Sequence, residues 1–389
     1  MSRAILHVIE DLKPESGGPT TVVVELARQQ AKSGHRVSVL CLEGPTSSEQ
    51  RSRLQQSFES AGIRLLDLKA MGERRRPSVI ASTVRAVRPD ILHLHGVWSS
   101  LLRWSASAAR AQGIKYVVST HGMLHPDVLR QGRLKKWVYL TLFHRFLGAA
   151  QEILALNDEE RRHVAQRFKR PSAVLANGIS ASQYQQATAQ AFLEERPEFT
   201  NTSFALFVGR LHAIKGIDQL LRSFALARRR GLMSHIVIAG PDSGELASLQ
   251  ALAIELGVAE TVHFVGPLYG ASKLSALAGC SMFVHRPRFE GFGLSVLEAL
   301  ATGRPVVTTR RCLLDGAEAA GALRIAEDTD DAFAESMLVI ERDPHLAAAL
   351  AARGGEWSRA RFDWAQVGRE ADAAYNRACQ GAGSASHPR

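Results

Sequence analysis

The sequence predicts an α/β protein built from two doubly wound parallel sheets in series. Three observations carry this. The chain has 389 residues, which at about 100–200 per domain suits two domains, each with a core of its own. Short β-rich runs alternate with helical patterns along the whole chain, the rhythm of a sheet with crossover helices. That rhythm breaks once, over 178–201, in a Ser-, Gln- and Ala-rich stretch ending in Arg196-Pro197-Glu198, and then restarts.

In the first half, strands are predicted over 4–9, 37–41, 63–66, 91–94, 116–119, 153–156 and 173–175, and helices over 20–33, 77–87, 101–111 and 158–168. In the second half, strands are predicted over 204–208, 235–239, 262–264, 282–284 and 305–308. Helices there fall over 217–229, 245–256, 271–277, 294–301, 331–340 and 345–357. A last helix over 364–378 carries Trp364, Val367, Ala371, Ala374 and Tyr375 on one face. The expected division is a first domain over 1–180, a linker over 181–201, a second domain over 202–360, a terminal helix within 361–379 and a loose tail over 380–389. Two such domains leave a central cleft facing the C-terminal ends of both sheets, where sheets of this kind bind ligands.

Composition narrows the class. No apolar run approaches the ~18–20 residues of a membrane span. The apolar run 4–9 is too short for the core of a signal peptide. Cys41, Cys280, Cys312 and Cys379 are far apart and form no pair motif, so neither a disulfide framework nor a zinc site is indicated and a reducing cytosol is the expected location. The net charge of +10 lies wholly in the first half: Lys plus Arg against Asp plus Glu is 28 to 18 over 1–200 and 20 to 20 over 201–389. A basic face of this kind attracts an anionic acceptor, an anionic membrane or nucleic acid, or is simply an Arg-rich surface.

The densest motif is 283–300, FVHRPRFEGFGLSVLEAL. A buried strand ends, a loop carries Glu290, Gly291, Phe292 and Gly293, and a helix begins at Leu294. Glycines let backbone approach a ligand, and a helix start offers unpaired N–H groups and partial positive charge, which together make an anion site. Glu298 lies about five residues into that helix, roughly 7–8 Å along its axis. A diphosphate at the helix start would leave Glu290 toward one end of a ligand and Glu298 toward the other, acceptors for two sets of hydroxyls. Val208-Gly209-Arg210-Leu211 with Lys215-Gly216 follows the first strand of the second half, so that a guanidinium and an ammonium can converge on a diphosphate. Gly17-Gly18-Pro19 precedes the helix at Thr20, and His121-Gly122 follows the strand 116–119.

These motifs, in this order, resemble family 4 retaining glycosyltransferases of the GT-B fold (glycosyl transferases group 1). The resemblance runs from Gly17 to Tyr375 and rests most on E-G-F-G-L-S-V-L-E-A and G-R-x4-K-G. It implies two Rossmann-like domains around a cleft and transfer of a sugar from a UDP- or GDP-hexose to a hydroxyl acceptor with retained anomeric configuration. Polysaccharide or glycolipid assembly is the expected setting. It implies Arg210 and Lys215 on the donor diphosphate, Glu290 on sugar hydroxyls, Glu298 on the ribose and His121 beside the reacting sugar. Gly17, Gly18, Gly291, Phe292, Gly293 and Leu294 complete the expected donor site. It also implies that the last helix crosses back onto the first domain. No divalent metal should be obligatory, since basic side chains and helix ends supply the positive charge. The alternatives are a nucleotide-sugar epimerase or hydrolase of the same fold, or a non-catalytic nucleotide or nucleic-acid binder. Nucleic acid is not the expected partner.

Other stretches are weighed against this. His93-Leu94-His95 puts two imidazoles on one strand face, but with no carboxylate or cysteine nearby in sequence it is assigned no metal. Asp328-Thr329-Asp330 spells a metal-binding Asp-x-Asp, yet precedes a helix where acidic residues serve as caps. Arg286 and Arg288 flank Pro287 where the family often has Pro-Ser, and are candidates for a phosphate or a surface. The segment 130–145 interleaves Arg133, Lys135 and Lys136 with Trp137, Tyr139 and Leu140, either a face for a bilayer surface or one packed on its own domain.

Overall fold

The computed structural model describes residues 2–13, 18–73, 76–130 and 133–380. The chain divides into two compact units, Met1–Gly178 with Trp364–Arg389, and Ile179–Asp363.

The first unit holds a seven-stranded sheet. Its strands are β1 (Ala4–Asp11), β2 (Arg36–Glu43), β3 (Arg64–Asp67), β4 (Ile91–His95), β5 (Lys115–Ser119), β6 (Glu152–Ala155) and β7 (Ser172–Val174). They run in the order β3-β2-β1-β4-β5-β6-β7, and every pairing is parallel. The order reverses between β1 and β4, the place where ligand crevices form in doubly wound sheets. The β4 strand, Ile-Leu-His-Leu-His, is buried on both faces, so both its imidazoles need polar partners. In register, His7 lies beside His93, and His95 beside Ser119.

The second unit holds a six-stranded parallel sheet. Its strands are β8 (Phe204–Val208), β9 (His235–Ala239), β10 (Val262–Gly266), β11 (Met282–His285), β12 (Val306–Thr309) and β13 (Arg324–Ala326), ordered β10-β9-β8-β11-β12-β13. The reversal here falls between β8 and β11. The helix Ile217–Arg229 packs Leu220, Leu221 and Phe224 into one core with Ile236, Ile238, Phe333 and Met337.

Three boundaries differ from the sequence reading. Residues 181–201 are no linker: they form the short helices Ala181–Gln185, Gln190–Glu195 and Pro197–Phe199 within the second unit. Phe192 and Phe199 stack there at 5.7 Å, both buried, and both pack on Phe204; three aromatics at wide spacing leave no periodic signal. The helix Ser48–Ser60 went unpredicted because it buries only Phe58. The edge strand β13 is three residues long. The last helix, Trp364–Gln380, lies in the first unit, where Trp364, Val367, Ala371, Ala374 and Tyr375 close a core with Ile5, Val22, Leu26, Ile91 and Val117. The Trp364 ring covers Gly178 at 2.5 Å from where a Cβ would stand, so Asn177-Gly178 needs its glycine. The expected tail over 380–389 lies, beyond Gln380, outside the described residues, as does Gly17.

Candidate functional site

In the second unit, the ends of the neighbouring strands β8 and β11 bring the basic loop and the glutamate loop together. After Val208 the chain turns through Gly209 and Arg210, and a single turn of 3-10 helix, Ala213–Lys215, delivers Lys215. Gly216 ends that turn at φ 63° and begins the next helix. A side chain at 216 would strike the Arg286 carbonyl oxygen, so the loop fits against the 286–293 segment only with glycine. Gly240 lies equally close under the Gly209 carbonyl. The Gly240-Pro241 pair thus supports the Arg210 loop.

Glu290 is pinned from both sides by backbone: its N–H donates to Arg311 O at 2.9 Å, and Leu313 N–H donates to its carbonyl at 3.0 Å. Its carboxylate accepts from the Lys215 ammonium and meets His285 Nε2 at 3.2 Å. Burial alone would raise this carboxyl, but the Lys215 charge and the His285 ring outweigh it and hold it at about 2. Burial lowers His285, opposed by Glu290, so the ring is a neutral donor to the carboxylate. Arg210 is exposed at the end of β8.

The helix Leu294–Ala301 begins behind Gly293, which has φ 67° and sits where a Cβ would overlap Cys312 Sγ. Phe292 turns inward, buried edge-on against Phe362 at 5.6 Å. Its side chain anchors the loop, which leaves its backbone as the part able to face a ligand. Glu298 is buried one turn into the helix, and Oε1 accepts from Tyr184 Oη at 2.8 Å and Lys273 Nζ at 2.7 Å. Sequence reasoning missed these partners: Tyr184 lies in the presumed linker, and Lys273 is the one charged residue in a helix of small and apolar residues. His285 could have been found, since it ends the strand β11 and precedes Glu290 by five residues.

Arg286 and Arg288 do not turn to the same place. Arg286 is buried and bonds Ser223 Oγ at 2.8 Å, the Gln219 carbonyl at 3.0 Å and both Asp328 and Asp330. Arg288 forks onto Asp218 at 2.8 and 2.6 Å. The Asp-x-Asp is therefore a clamp on a buried guanidinium, and Thr329 caps the following helix through Ala332 N–H.

In the first unit, His121 follows β5 at φ 50°, a left-handed conformation that non-glycine residues rarely adopt. The buried Glu160 carboxylate holds the loop after it, accepting from Gly122 N–H at 3.2 Å, Leu124 N–H at 2.9 Å and Leu156 N–H at 2.9 Å. His121 Nε2 meets His95 Nδ1 at 3.0 Å. Nearby, a cavity of about 510 Å³ opens at the ends of β1 and β4, walled by Trp98, Leu102 and Met123 with Glu10, Asp11 and Ser99 at its polar side. Gly18 begins the helix Gly18–Lys32, with open space where a Cβ would stand.

His7, His93 and His95 have ligand-capable atoms within 4.8 Å of one another. All six of their ring nitrogens are already in hydrogen bonds: His7 with His95 and Gln30, His93 with Tyr375 and Ser119, His95 with His7 and His121. The helix Arg133–Gly148 packs on its own unit through Leu140 and through Tyr139, whose hydroxyl donates to Val97 O at 3.1 Å, while Trp137 and Val138 stay exposed.

The architecture is that of the GT-B glycosyltransferases. Anabaena HepE in complex with UDP-glucose superposes with a TM-score of 0.75 at 19% identity, covering 96% of this chain and 99% of that one. The chain belongs to the group 1 glycosyltransferases: the model for glycosyl transferases group 1 matches residues 189–357, and that for the glycosyl transferase 4-like domain matches 17–178. It is similar to the GDP-mannose:cellobiosyl-diphosphopolyprenol alpha-mannosyltransferase of Xanthomonas campestris, 27% identical over 305 residues, 77% of this chain and 76% of the relative. It is also similar to the D-inositol 3-phosphate glycosyltransferase of Streptomyces avermitilis, 25% identical over 363 residues, 86% of this chain and 78% of the relative.

Proposed function

We propose that this glycosyltransferase moves a hexose from a UDP- or GDP-hexose to a hydroxyl of a sugar, polysaccharide or lipid-linked acceptor, with retention of anomeric configuration. The observation that carries the reading is the Lys215–Glu290–His285 cluster at the paired ends of β8 and β11, beside the start of the helix Leu294–Ala301. A donor diphosphate at that helix start competes with Glu290 for Lys215. The ammonium then neutralises the leaving group with Arg210. Glu290, released from its pair and still held by His285, accepts from sugar hydroxyls. Glu298 uses Oε2 for the ribose, since its two described bonds fall on Oε1.

The cavity beside Trp98 in the first unit suits an acceptor: an aromatic wall for a sugar face, with Glu10 and Asp11 as hydroxyl acceptors. Relatives with lipid-diphosphate acceptors favour the same class here, with the exposed Trp137 as the point of contact with an anionic membrane surface. No metal step is needed, because cations and helix N–H groups carry the charge; turnover that survives EDTA checks this. The deciding experiment is thermal stabilisation by UDP-, GDP- and ADP-sugars, followed by anomeric analysis of the product. If none stabilises the protein while nucleic acid does, the reading fails.

A further inference from the structure

The hydrogen bonds of the first unit form one continuous chain of side chains through the middle of the sheet, and its proton positions can be worked out. Gln30 Nε2 donates to Tyr375 Oη at 3.1 Å, and Gln30 Oε1 lies 2.7 Å from His7 Nε2. An amide oxygen only accepts, so His7 carries its proton on Nε2. A neutral imidazole then has a bare Nδ1, which lies 2.9 Å from His95 Nε2, and that nitrogen must therefore hold the proton of His95. His95 Nδ1 is bare in turn and lies 3.0 Å from His121 Nε2, which must donate. On the other branch, Tyr375 Oη accepts from Gln30 and so donates to His93 Nδ1 at 2.7 Å, which leaves His93 Nε2–H to donate to Ser119 Oγ at 2.7 Å.

The premise of neutral rings holds independently. His7, His93 and His95 are buried among one another, with centroids 4.0–5.3 Å apart, and among the described residues no carboxylate bonds to any of them. Burial lowers His7 and His121 to about 4 and pushes His93 and His95 well below their ordinary value.

We infer that Gln30, His7 and His95 are positioning residues that fix the tautomer of His121, so that it presents a bare Nδ1 as a hydrogen-bond acceptor for a sugar hydroxyl at the end of β5. This rests on the reading of His121 as a contact of the reacting sugar. His121 Nε2 is committed to His95, and no described bond engages Nδ1. The left-handed backbone of His121 and the Glu160 clasp on the next turn hold the ring in place. The Gln30 amide sets the direction of the whole chain: turned over, it would place the His121 proton on Nδ1 and make the ring a donor. A site that accepts from a hydroxyl discriminates against the deoxy sugar, because the lone pair is then left unmatched.

The test uses the full-length protein with 15N-labelled histidine, and reads the ring nitrogens of His121, assigned by His121→Asn. The expected spectrum has Nε2 protonated and Nδ1 bare; Nδ1 protonated in the wild type overturns the inference without any variant. His7→Leu removes the acceptor for His95 and should mix the His121 tautomers and lower kcat about tenfold, equivalent to one hydrogen bond, with KM little changed. His7→Asn, whose side-chain oxygen replaces Nδ1, should restore both. Ser119→Ala, on the other branch, should leave the His121 pattern as it is. An unchanged His121 pattern in His7→Leu, or a failure of His7→Asn to restore it, sinks the relay. A relay that behaves as described while kcat stays constant overturns the sugar-contact role alone. Stoichiometric zinc binding that shifts His7, His93 and His95 together would replace the relay with a metal site.

Discussion

His7 sets a measurable acid limit on the first unit. It is fully buried, and burial brings it to about 4 from an ordinary 6.5, only partly offset by its bond to Gln30. Because the folded value lies below the unfolded one, the unfolded chain takes up the extra proton: stability is full above about pH 6.5 and falls as pH drops toward 4. Between pH 7 and pH 5 the loss from this one ring is about 2 kcal/mol, from the ratio of the two binding polynomials. Asparagine at this position cannot titrate, yet can still accept from His95 Nε2. His7→Asn should therefore be less stable than wild type at pH 7 and lose about 2 kcal/mol less on going to pH 5, read by urea unfolding of both proteins at both pH values. The difference of differences removes every other group, including Glu290, whose carboxyl at about 2 stays ionised across that window. It can only grow if His93 and His95 become easier to protonate without their neighbour, since both are depressed in part by His7. Parallel losses in the two proteins would mean that His7 takes up its proton over the same pH range folded as unfolded, and the burial argument for its neutral ring would go, with the proton assignments built on it.

Lys215→Ala should abolish most stabilisation by nucleotide sugars and lower the melting temperature, because it strands the buried Glu290 carboxylate; Lys215→Ala with Glu290→Gln should recover the melting temperature but not the binding, as seen by calorimetry. Gly293→Ala carries a left-handed cost of about 1–3 kcal/mol plus the overlap with Cys312, and Cys312→Ala should relieve the second part only, in thermal unfolding of the double variant. Tyr184→Phe should weaken free nucleotide binding by about tenfold or less, one hydrogen bond on Glu298, whereas Glu298→Ala should weaken it further while leaving Lys273 exposed to salt; titration at two ionic strengths separates them.

Much of the fold was legible because its signals are local. The helix Ile217–Arg229 is marked at both ends, by Gly216 and by Arg230, and its apolar face repeats every three to four residues. The strand β8 is a short apolar run ending at glycine, and β4 and β11 are short buried runs broken only by histidine and ending at glycine or charge. Glu290, Lys215 and Arg210 were legible for the same reason, each standing just after a strand end. What stayed hidden depends on distance along the chain. Gln30 is an ordinary polar residue on a surface-type helix until Tyr375, 345 residues later, and His7 meet it from two sides. The pair His93 and His95 suggested at most a metal. Its true partners are His7 on β1, Ser119 at the end of β5, His121 just after it and Tyr375 on the last helix. The arginines beside Pro287 looked like phosphate ligands because Asp328 and Asp330, which hold Arg286, come over forty residues later. In the presumed linker, Phe192 and Phe199 matter only once Phe204 is folded beneath them.

The first unit is made of two pieces of chain, and the second piece leaves the ribosome only after the whole of the second unit. Until Trp364–Gln380 is synthesised, Ile5, Val22, Leu26 and Ile91 have no cover and Gln30 and His93 have no phenol between them. The nascent first unit must wait, incomplete, while the whole of the second is translated and free to fold. A protein cut at residue 363 would thus lose far more than one helix: an oily sheet face would be bared to chaperones and proteases, and the order of synthesis becomes a check that only a chain read past the second unit can pass.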